Sequence, residues 1–219
     1  MPSRLVVLPP LPRRIAQLGA GFVVWGVAVA LMVRSGMGLG PWDALHAGMH
    51  ATLGIGIGVA SIVAGFAILL ASLPLGVRPG LATLGNMVMI GVVIDLVLPV
   101  LPAARGLAWG AAYHLGGIAL AGWGTGLYIA AHLGAGPRDG LVRALARRWR
   151  WPVRRVRTLV ELAALAAGWA LGGRLGVGTV IYALLIGPSM QWGLRVWGVL
   201  PSATPSGAEP PPVPVHRVA

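Results

Sequence analysis

The sequence predicts an all-α membrane protein with six transmembrane helices. Of its 219 residues, 57% are hydrophobic and only 10% are charged, whereas soluble domains carry about 25% charged residues. Six apolar stretches are long enough to cross a hydrocarbon core of about 30 Å, which takes about 20 helical residues. They run from 15 to 33, 57 to 75, 81 to 101, 109 to 133, 153 to 171 and 177 to 197. This composition excludes a water-soluble globule.

The distribution of arginines predicts how the six spans are oriented. All 17 basic residues are Arg, and fourteen of them share one side when the N-terminus is placed in the cytoplasm. Only Arg34, Arg105 and Arg174 fall on the other side. Cytoplasmic loops carry the excess of basic residues, so we expect both termini to lie in the cytoplasm. This topology accounts for the net charge of +12, and we expect no nucleic-acid partner.

An internal duplication divides the chain into two copies. A shift of 96 positions aligns residues 21–98 with 117–194 and gives 19 identities in 78 positions. Each copy holds three spans, and an odd number places the second copy in the membrane in the opposite orientation. The charges agree, because residues 34–56 hold one arginine whereas residues 138–157 hold eight. We therefore predict inverted-topology repeats, about 15–101 and 109–197, in a transmembrane domain of residues 13–200.

The two ends of the chain differ from this domain in composition. Residues 1–12 and 201–219 are rich in Pro, Ser and Ala. Such segments cannot bury enough apolar surface to offset the entropy lost on ordering. We expect both to be disordered cytoplasmic tails.

The most distinctive motif, Gly-x-Gly-Pro-x-Asp, occurs once in each repeat. Its glycines and prolines are Gly38, Gly40, Pro41, Gly134, Gly136 and Pro137. Proline fits the first turn of a helix, which places Asp43 and Asp139 near free N–H groups at a helix start. One interpretation is a helix-start device that appears twice because the gene was duplicated. The other is a broken or re-entrant helix whose N-terminus and carboxylate face a substrate path.

Further polar residues lie within or beside the apolar stretches. Asp95 and its repeat counterpart Gln191 should face the bundle interior or a cavity, unless Asp95 is solvated near its helix end. The full candidate substrate or ion site comprises Asp43, His46, Asn86, Asp95, His114, Asp139 and Gln191. Ordinary hydrogen bonding between helices is the alternative for His114 and Asn86.

The sequence predicts no metal centre, cofactor or enzymatic activity. His46 and His50 are four residues apart on one helix face, but no third ligand is near them in sequence. Cysteine is absent, and no phosphate-binding loop, nucleophile elbow or zinc-protease motif occurs.

The segment from Asp139 to Arg157 alternates apolar residues with arginines. This pattern suits an interfacial amphipathic helix on the anionic inner leaflet. The candidate contacts with anionic lipid are Arg147, Arg148, Arg150, Arg154 and Arg155. At its end, Arg157 and Glu161 are four residues apart, and this spacing favours a local ion pair.

Three stretches together resemble a known family. Gly-Leu-Gly-Pro-Trp-Asp-Ala-Leu-His at 38–46, Pro-Leu-Gly-Val-Arg-Pro-Gly-Leu-Ala-Thr at 74–83 and Gly-Ala-Gly-Pro-Arg-Asp-Gly-Leu at 134–141 are similar to the YczE/YyaS/YitT group of bacterial integral membrane proteins. The similarity runs from Arg13 to Leu200. The resemblance implies a multi-pass protein of the bacterial inner membrane and leaves its biochemical activity open.

Two functions follow from these observations as expectations. The first is a small-molecule or ion permease with its site between the inverted repeats, because duplicated Gly/Pro-interrupted motifs indicate transporter binding sites. The alternative is a non-transporting accessory protein that binds a partner through its arginine-rich cytoplasmic loop.

Overall fold

The structure is a computed structural model that describes residues 9–77, 79–134 and 136–200. All regular structure in these ranges is helical. The helices are α1 (Leu11–Ser35), α2 (Pro41–Leu53), α3 (Ile57–Ser72), α4 (Leu81–Val97), α5 (Gly106–Ile129), α6 (Pro137–Trp149), α7 (Val153–Ala170) and α8 (Val177–Val196). A short 3₁₀ turn, Leu73–Leu75, extends α3. The predicted tails fall mostly on residues 1–8 and 201–219, which lie outside the described residues, and α1 already begins at Leu11.

Each of the six predicted apolar stretches coincides with one long helix, and α2 and α6 are additional short ones. By length and composition, three helical segments of the described chain can cross a membrane: Leu11–Ser35, Ile57–Leu75 and Val177–Val196. A fourth apolar segment, Ala82–Val97, is shorter. The two other long helices, α5 and α7, are not among these segments, and α7 carries three arginines and Glu161.

The helices of the two repeats begin at matching positions. α2 and α6, α3 and α7, and α4 and α8 each start 96 residues apart. The left-handed residues follow the same offset: Gly36 and His132, Gly38 and Gly134, Gly54 and Arg150, Gly76 and Gly172 all have positive φ. The duplication seen in the sequence therefore extends to local backbone geometry.

The long helices α1 and α5 pack against each other in antiparallel directions. The Arg14 side chain near the start of α1 donates to the carbonyl of Ala131, just beyond the end of α5, at 2.8 Å. At the other end of the pair, the Ser35 hydroxyl lies 3.4 Å from Nδ1 of His114. Between them, the Trp25 indole N–H donates to the Thr125 hydroxyl at 2.8 Å.

Equivalent residues of the two repeats make reciprocal contacts between α1 and α5. Gly21 lies against Tyr128, where an added Cβ would be 2.7 Å from the tyrosine Cβ. Its counterpart Gly117 lies against Met32, at 2.6 Å from the methionine Cγ. Met32 and Tyr128 are again 96 residues apart. Reciprocal contacts of this kind are the signature of a two-fold axis, which here relates α1 to α5.

The short helices α2 and α6 each pack against the opposite repeat. α2 lies on α7, and α6 lies on α3. At the first crossing, Gly48 touches the backbone of Gly168 so closely that a Cβ would sit 2.6 Å from its carbonyl oxygen. The repeats are thus interlocked through their short helices.

The two repeats differ in how their last two helices pack. In the first repeat α3 packs on α4, with Gly58 directly against the Gly91 carbonyl. In the second repeat α8 packs on α5, and α7 does not pack on α8 in the way that α3 packs on α4. A Cβ added at Gly187, the counterpart of Gly91, would meet no neighbouring element within 4 Å.

The predicted interfacial helix between Asp139 and Arg157 requires correction. The chain breaks there into α6 and α7, with Arg150 left-handed at φ 55° between them. Val142, Ala144 and Ala146 are buried, so the apolar face of α6 lies against protein.

Candidate functional site

The two Gly-x-Gly-Pro-x-Asp motifs form loops that turn into the fold before starting a short helix. Gly38 has φ 113° and packs against the backbone at the start of α8, a position without room for a side chain. Gly40 lies against the ring of Tyr182, where a Cβ would be 2.6 Å from Cε1. Pro41 then occupies the first turn of α2. Because Tyr182 is five residues into α8, α2 begins about 7 Å inside the end of that helix.

The second motif repeats this arrangement on the other side of the fold. Gly134 has φ 120°, and Gly136 lies beside Asn86 on α4. Asn86 and Tyr182 are repeat counterparts, so the two loops use equivalent supports. α2 therefore starts in the interior, whereas the start of α6 is less buried, with Gly134 exposed and Gly136 half-buried.

The Arg138 side chain links the starts of the two short helices, and we call Trp42, Asp43, His46 and Arg138 the central cluster; Trp42 and Arg138 are half-buried. Asp43 and His46 are only 4% and 1% exposed. Arg138, from α6, reaches α2: its guanidinium lies 4.6 Å from the Trp42 ring centroid, and Nη2 lies 3.3 Å from Nε2 of His46. Nδ1 of His46 is 3.7 Å from Oδ1 of Asp43 and is buried without a hydrogen-bond partner.

A second ionic group lies beside the α6 N-terminus and is more exposed. Arg157 on α7 is 3.8 Å from the Asp139 carboxylate and 3.0 Å from that of Glu161. The Arg157–Glu161 pair expected from the sequence is therefore present. About half of the Arg157 side chain is exposed, so solvent screens these charges more than those of the central cluster.

Comparison with known proteins agrees with these features. A family of unknown function, DUF6198, matches residues 12–195. The chain belongs to this family. It is 36% identical over 178 residues to an uncharacterized protein of Haemophilus influenzae, covering 81% of this chain and 82% of the relative.

Two relatives from Bacillus subtilis confirm the resemblance seen in the motifs. The uncharacterized membrane protein YczE is 36% identical over 177 residues, covering 80% of this chain and 82% of its own. The uncharacterized protein YyaS is 26% identical over 181 residues, covering 77% and 86%. No solved structure matches the chain. The name of YczE and the apolar helices of this DUF6198 member both fit a membrane protein.

The remaining predicted site residues lie away from the central cluster. Both oxygens of Asp95 accept backbone N–H groups, from Gly58 at 2.7 Å and Val59 at 2.9 Å. Asp95 thus caps the N-terminus of α3. His114 is fully buried, with Nε2 2.8 Å from the Gly178 carbonyl oxygen. It links α5 to α8, as expected of a hydrogen-bonded interior histidine.

The structure corrects the prediction made for Gln191. Its side chain is exposed on α8, whereas the sequence predicted that it faces the interior or a cavity. The reason is the different packing of the second repeat, since α7 does not cover this face of α8. Asn86 supports the second motif loop, as described above.

The arginines predicted to contact lipid lie on the surface. Arg147, Arg148, Arg150, Arg154 and Arg155 are all exposed. Within the described ranges, no three His, Cys, Asp or Glu residues are grouped so that they could hold a metal ion.

Sequence reasoning missed the contact between Trp42 and Arg138. These two residues occupy the same position in the two repeats, 96 residues apart. A residue that meets its own counterpart lies on the two-fold axis, so a duplicated motif placed on that axis could have suggested the contact. The sequence also missed the ion pair between Arg157 and Asp139, which joins α7 to α6.

Proposed function

We propose that this protein is a small-molecule or ion permease of the bacterial inner membrane, with its site at the central cluster. In this proposal six helices span the membrane, both termini are cytoplasmic, and the two repeats are inverted about an axis in the membrane plane. α2 and α6 are re-entrant half-helices that enter from opposite sides.

The antiparallel packing of α1 and α5 supports the inverted arrangement. Helices related by a repeat run in opposite directions only when the repeats enter the membrane from opposite sides. The eight arginines of residues 138–157, in α6 and the start of α7, and their absence from the equivalent residues 42–61 agree with opposite compartments under the positive-inside rule.

The polar cluster in which Arg138, from the start of α6, reaches Trp42 and His46 of α2 carries the proposal. Ionisable side chains are costly in a membrane interior and mark substrate or ion pathways there. In transporters with inverted repeats, discontinuous helices direct their N-termini at substrate near the bilayer midplane. Asp43, His46 and Arg138 combine these two features.

The unequal packing of the repeats supports an alternating mechanism. In this state Asp43 and His46 are closed to solvent, whereas Trp42 and Arg138 are half-buried. In inverted-repeat transporters, access alternates when one repeat or bundle moves against the other. We propose that α7 closes on α8 when α3 separates from α4.

The proposal is tested by measuring solute flux into proteoliposomes. Vesicles with and without the purified full chain are exposed to isosmotic sodium salts of small anions, chloride salts of small cations, and neutral polyols, and swelling is followed by light scattering. We expect faster entry of at least one solute class, and loss of that entry in the double variant D43N/D139N. Q191A is the matched control, because Gln191 is exposed and lies away from the cluster.

The same experiment separates the permease from the accessory alternative. That alternative is favoured by five exposed arginines around the α6–α7 junction, which form a basic surface for an acidic partner. If no solute enters faster than into empty vesicles, or if D43N/D139N preserves every flux, the permease proposal is wrong.

A further inference from the structure

The central cluster contains a hydrogen-bond donor without an acceptor. Arginine carries only donors, so the contact between Arg138 and Nε2 of His46 makes that nitrogen the acceptor. The proton of the neutral imidazole then resides on Nδ1, which is buried and has no hydrogen-bond partner. The nearest carboxylate oxygen, on Asp43, is 3.7 Å away, beyond hydrogen-bonding distance. Because a buried N–H group without an acceptor is unfavourable, a ligand that supplies an acceptor atom is favoured at this position.

Arg138 also lacks the carboxylate that would ordinarily pair with it. Among the described residues, Arg157 has two carboxylates within 4 Å, whereas Arg138 has none. The Arg138 contacts are the face of Trp42 and one imidazole nitrogen. A guanidinium has five N–H donors in a planar fork that fits carboxylates and other oxyanions.

The start of α2 adds positive potential at the same place. Its N-cap is Gly40, which offers no side-chain oxygen to the first-turn N–H groups. A helix N-terminus acts as roughly half a positive charge and binds anions. Asp43 lies in the first turn of α2, so its carboxylate offsets part of the positive potential of Arg138 and of the helix N-terminus. Asp43 in turn disfavours any ligand that carries a second negative charge.

We propose that the central cluster binds a small monovalent oxyanion of carboxylate type. Its oxygens accept hydrogen bonds from Arg138 and from Nδ1 of His46, next to the N-terminus of α2. The Trp42 ring provides an apolar wall for a short carbon chain. This inference rests on the proposed permease function and names the substrate class for that site.

The test is thermal unfolding of the purified full chain in detergent with defined salts. Sodium formate, acetate and propionate are each titrated at constant sodium and ionic strength against sodium chloride, and chloride salts of potassium and choline form a cation series. We expect a saturable rise in Tm with at least one carboxylate and no saturable rise with either cation, because a ligand that binds only the folded state raises its stability.

Two arginine variants make the result specific. R138K keeps the charge but loses the planar fork, and we expect carboxylate binding about tenfold weaker or worse. R157Q is the matched control, since Arg157 already has carboxylate partners, and it should bind as the wild type does. R138Q should lose the Tm response entirely; if R138Q does not fold, the comparison of R138K with R157Q decides.

Three outcomes would overturn the inference. They are a saturable rise with a cation but not with a carboxylate, no rise with any carboxylate, or equal weakening in R138K and R157Q. Each of them would show that the central cluster does not bind a carboxylate. The permease proposal is tested separately by the flux measurement, which does not depend on this assay.

Discussion

The α3–α4 pair and the α7–α8 pair are the same two helices of a duplicated unit, but they pack differently. In the first repeat, glycines at positions 58 and 91 bring α3 and α4 into backbone contact, and Asp95 caps α3 across the interface. In the second repeat, position 154 is Arg and Gln191 replaces Asp95. One pair is closed by two small residues and a carboxylate, whereas the other keeps only the glycine at position 187.

The difference shows which residues determine helix association in this fold. Without a hydrophobic driving force in lipid, helices associate through close backbone approach and polar contacts. Gly91 is retained as Gly187, so a small residue on one helix is insufficient when the facing position is Arg. The second repeat therefore leaves α7 and α8 unpacked against each other, and the proposed alternating mechanism uses this gap.

A cysteine pair across α7 and α8 gives the largest expected effect. Thr158 and Gly187 are the counterparts of Ile62 and Gly91, which are in contact in the first repeat. If α7 closes on α8 during transport, oxidation of T158C/G187C should trap that state, abolish flux and remove both thiols from maleimide labelling, with recovery on reduction.

The single variants T158C and G187C are the controls and should keep their flux under oxidation. The chain has no native cysteine, so no other thiol interferes. Free thiols that persist through prolonged oxidation of the double variant would argue against closure.

Adding a methyl group at the two equivalent glycines should have opposite results. At Gly91 a Cβ would lie 2.6 Å from the Gly58 carbonyl oxygen, so G91A should destabilise the protein by about 1–3 kcal/mol, as overpacking does. At Gly187 there is open space, and G187A should be neutral or stabilise by up to about 1 kcal/mol, because alanine is the better helix former. Thermal unfolding in detergent measures both, and equal losses would contradict the packing difference.

Removing the polar side chains one turn further along should repeat this contrast on a smaller scale. D95A leaves the N–H groups of Gly58 and Val59 without their acceptor, and a lost helix cap costs about 0.5–2 kcal/mol. Q191A removes an exposed side chain and should change stability by less than about 0.5 kcal/mol. A stability loss in Q191A comparable to that in D95A would contradict this contrast. It would show that Gln191 has a hydrogen-bond partner on a neighbouring helix, as Asp95 has on α3.

The smallest effect is expected at Gly65 and its counterpart Glu161. G65A places a methyl 2.9 Å from Cγ of Met87, a flexible side chain that can move, so the cost should be about 1 kcal/mol or less. E161A breaks the half-exposed pair with Arg157, which is worth about 0.2–1 kcal/mol and decreases with salt. Unfolding at two salt concentrations distinguishes them, since only the cost of E161A should depend on salt.

The sequence predicted the long helices well, and the 96-residue offset recurs in the helix starts and the left-handed residues, because both leave local signals. The length of each apolar stretch predicts a long helix, and the recurring Gly-x-Gly-Pro-x-Asp motif fixes the 96-residue alignment of the two copies. The short helix α6 was harder to place, because its arginines are typical of an interfacial helix, whereas its buried face is defined by packing against α3 and α7.

The candidate site was predicted in part. Asp43 and His46 are three residues apart in α2, so the helix itself brings their side chains close together. Arg138 and His46 are 92 residues apart in the sequence. Their contact depends on how the two repeats pack together, and no local sequence pattern indicates that. Asp95 and Gln191 were grouped as counterparts, but helix packing gives one a capping role and exposes the other.

Accessibility labelling of two equivalent positions tests the inverted arrangement most directly. Thr52 and Arg148 are 96 residues apart and exposed at the outer ends of α2 and α6. In intact spheroplasts, we expect a membrane-impermeant maleimide to label T52C at once and R148C only after permeabilisation. Labelling of both from the same side would contradict the inverted repeats and, with them, the proposed site.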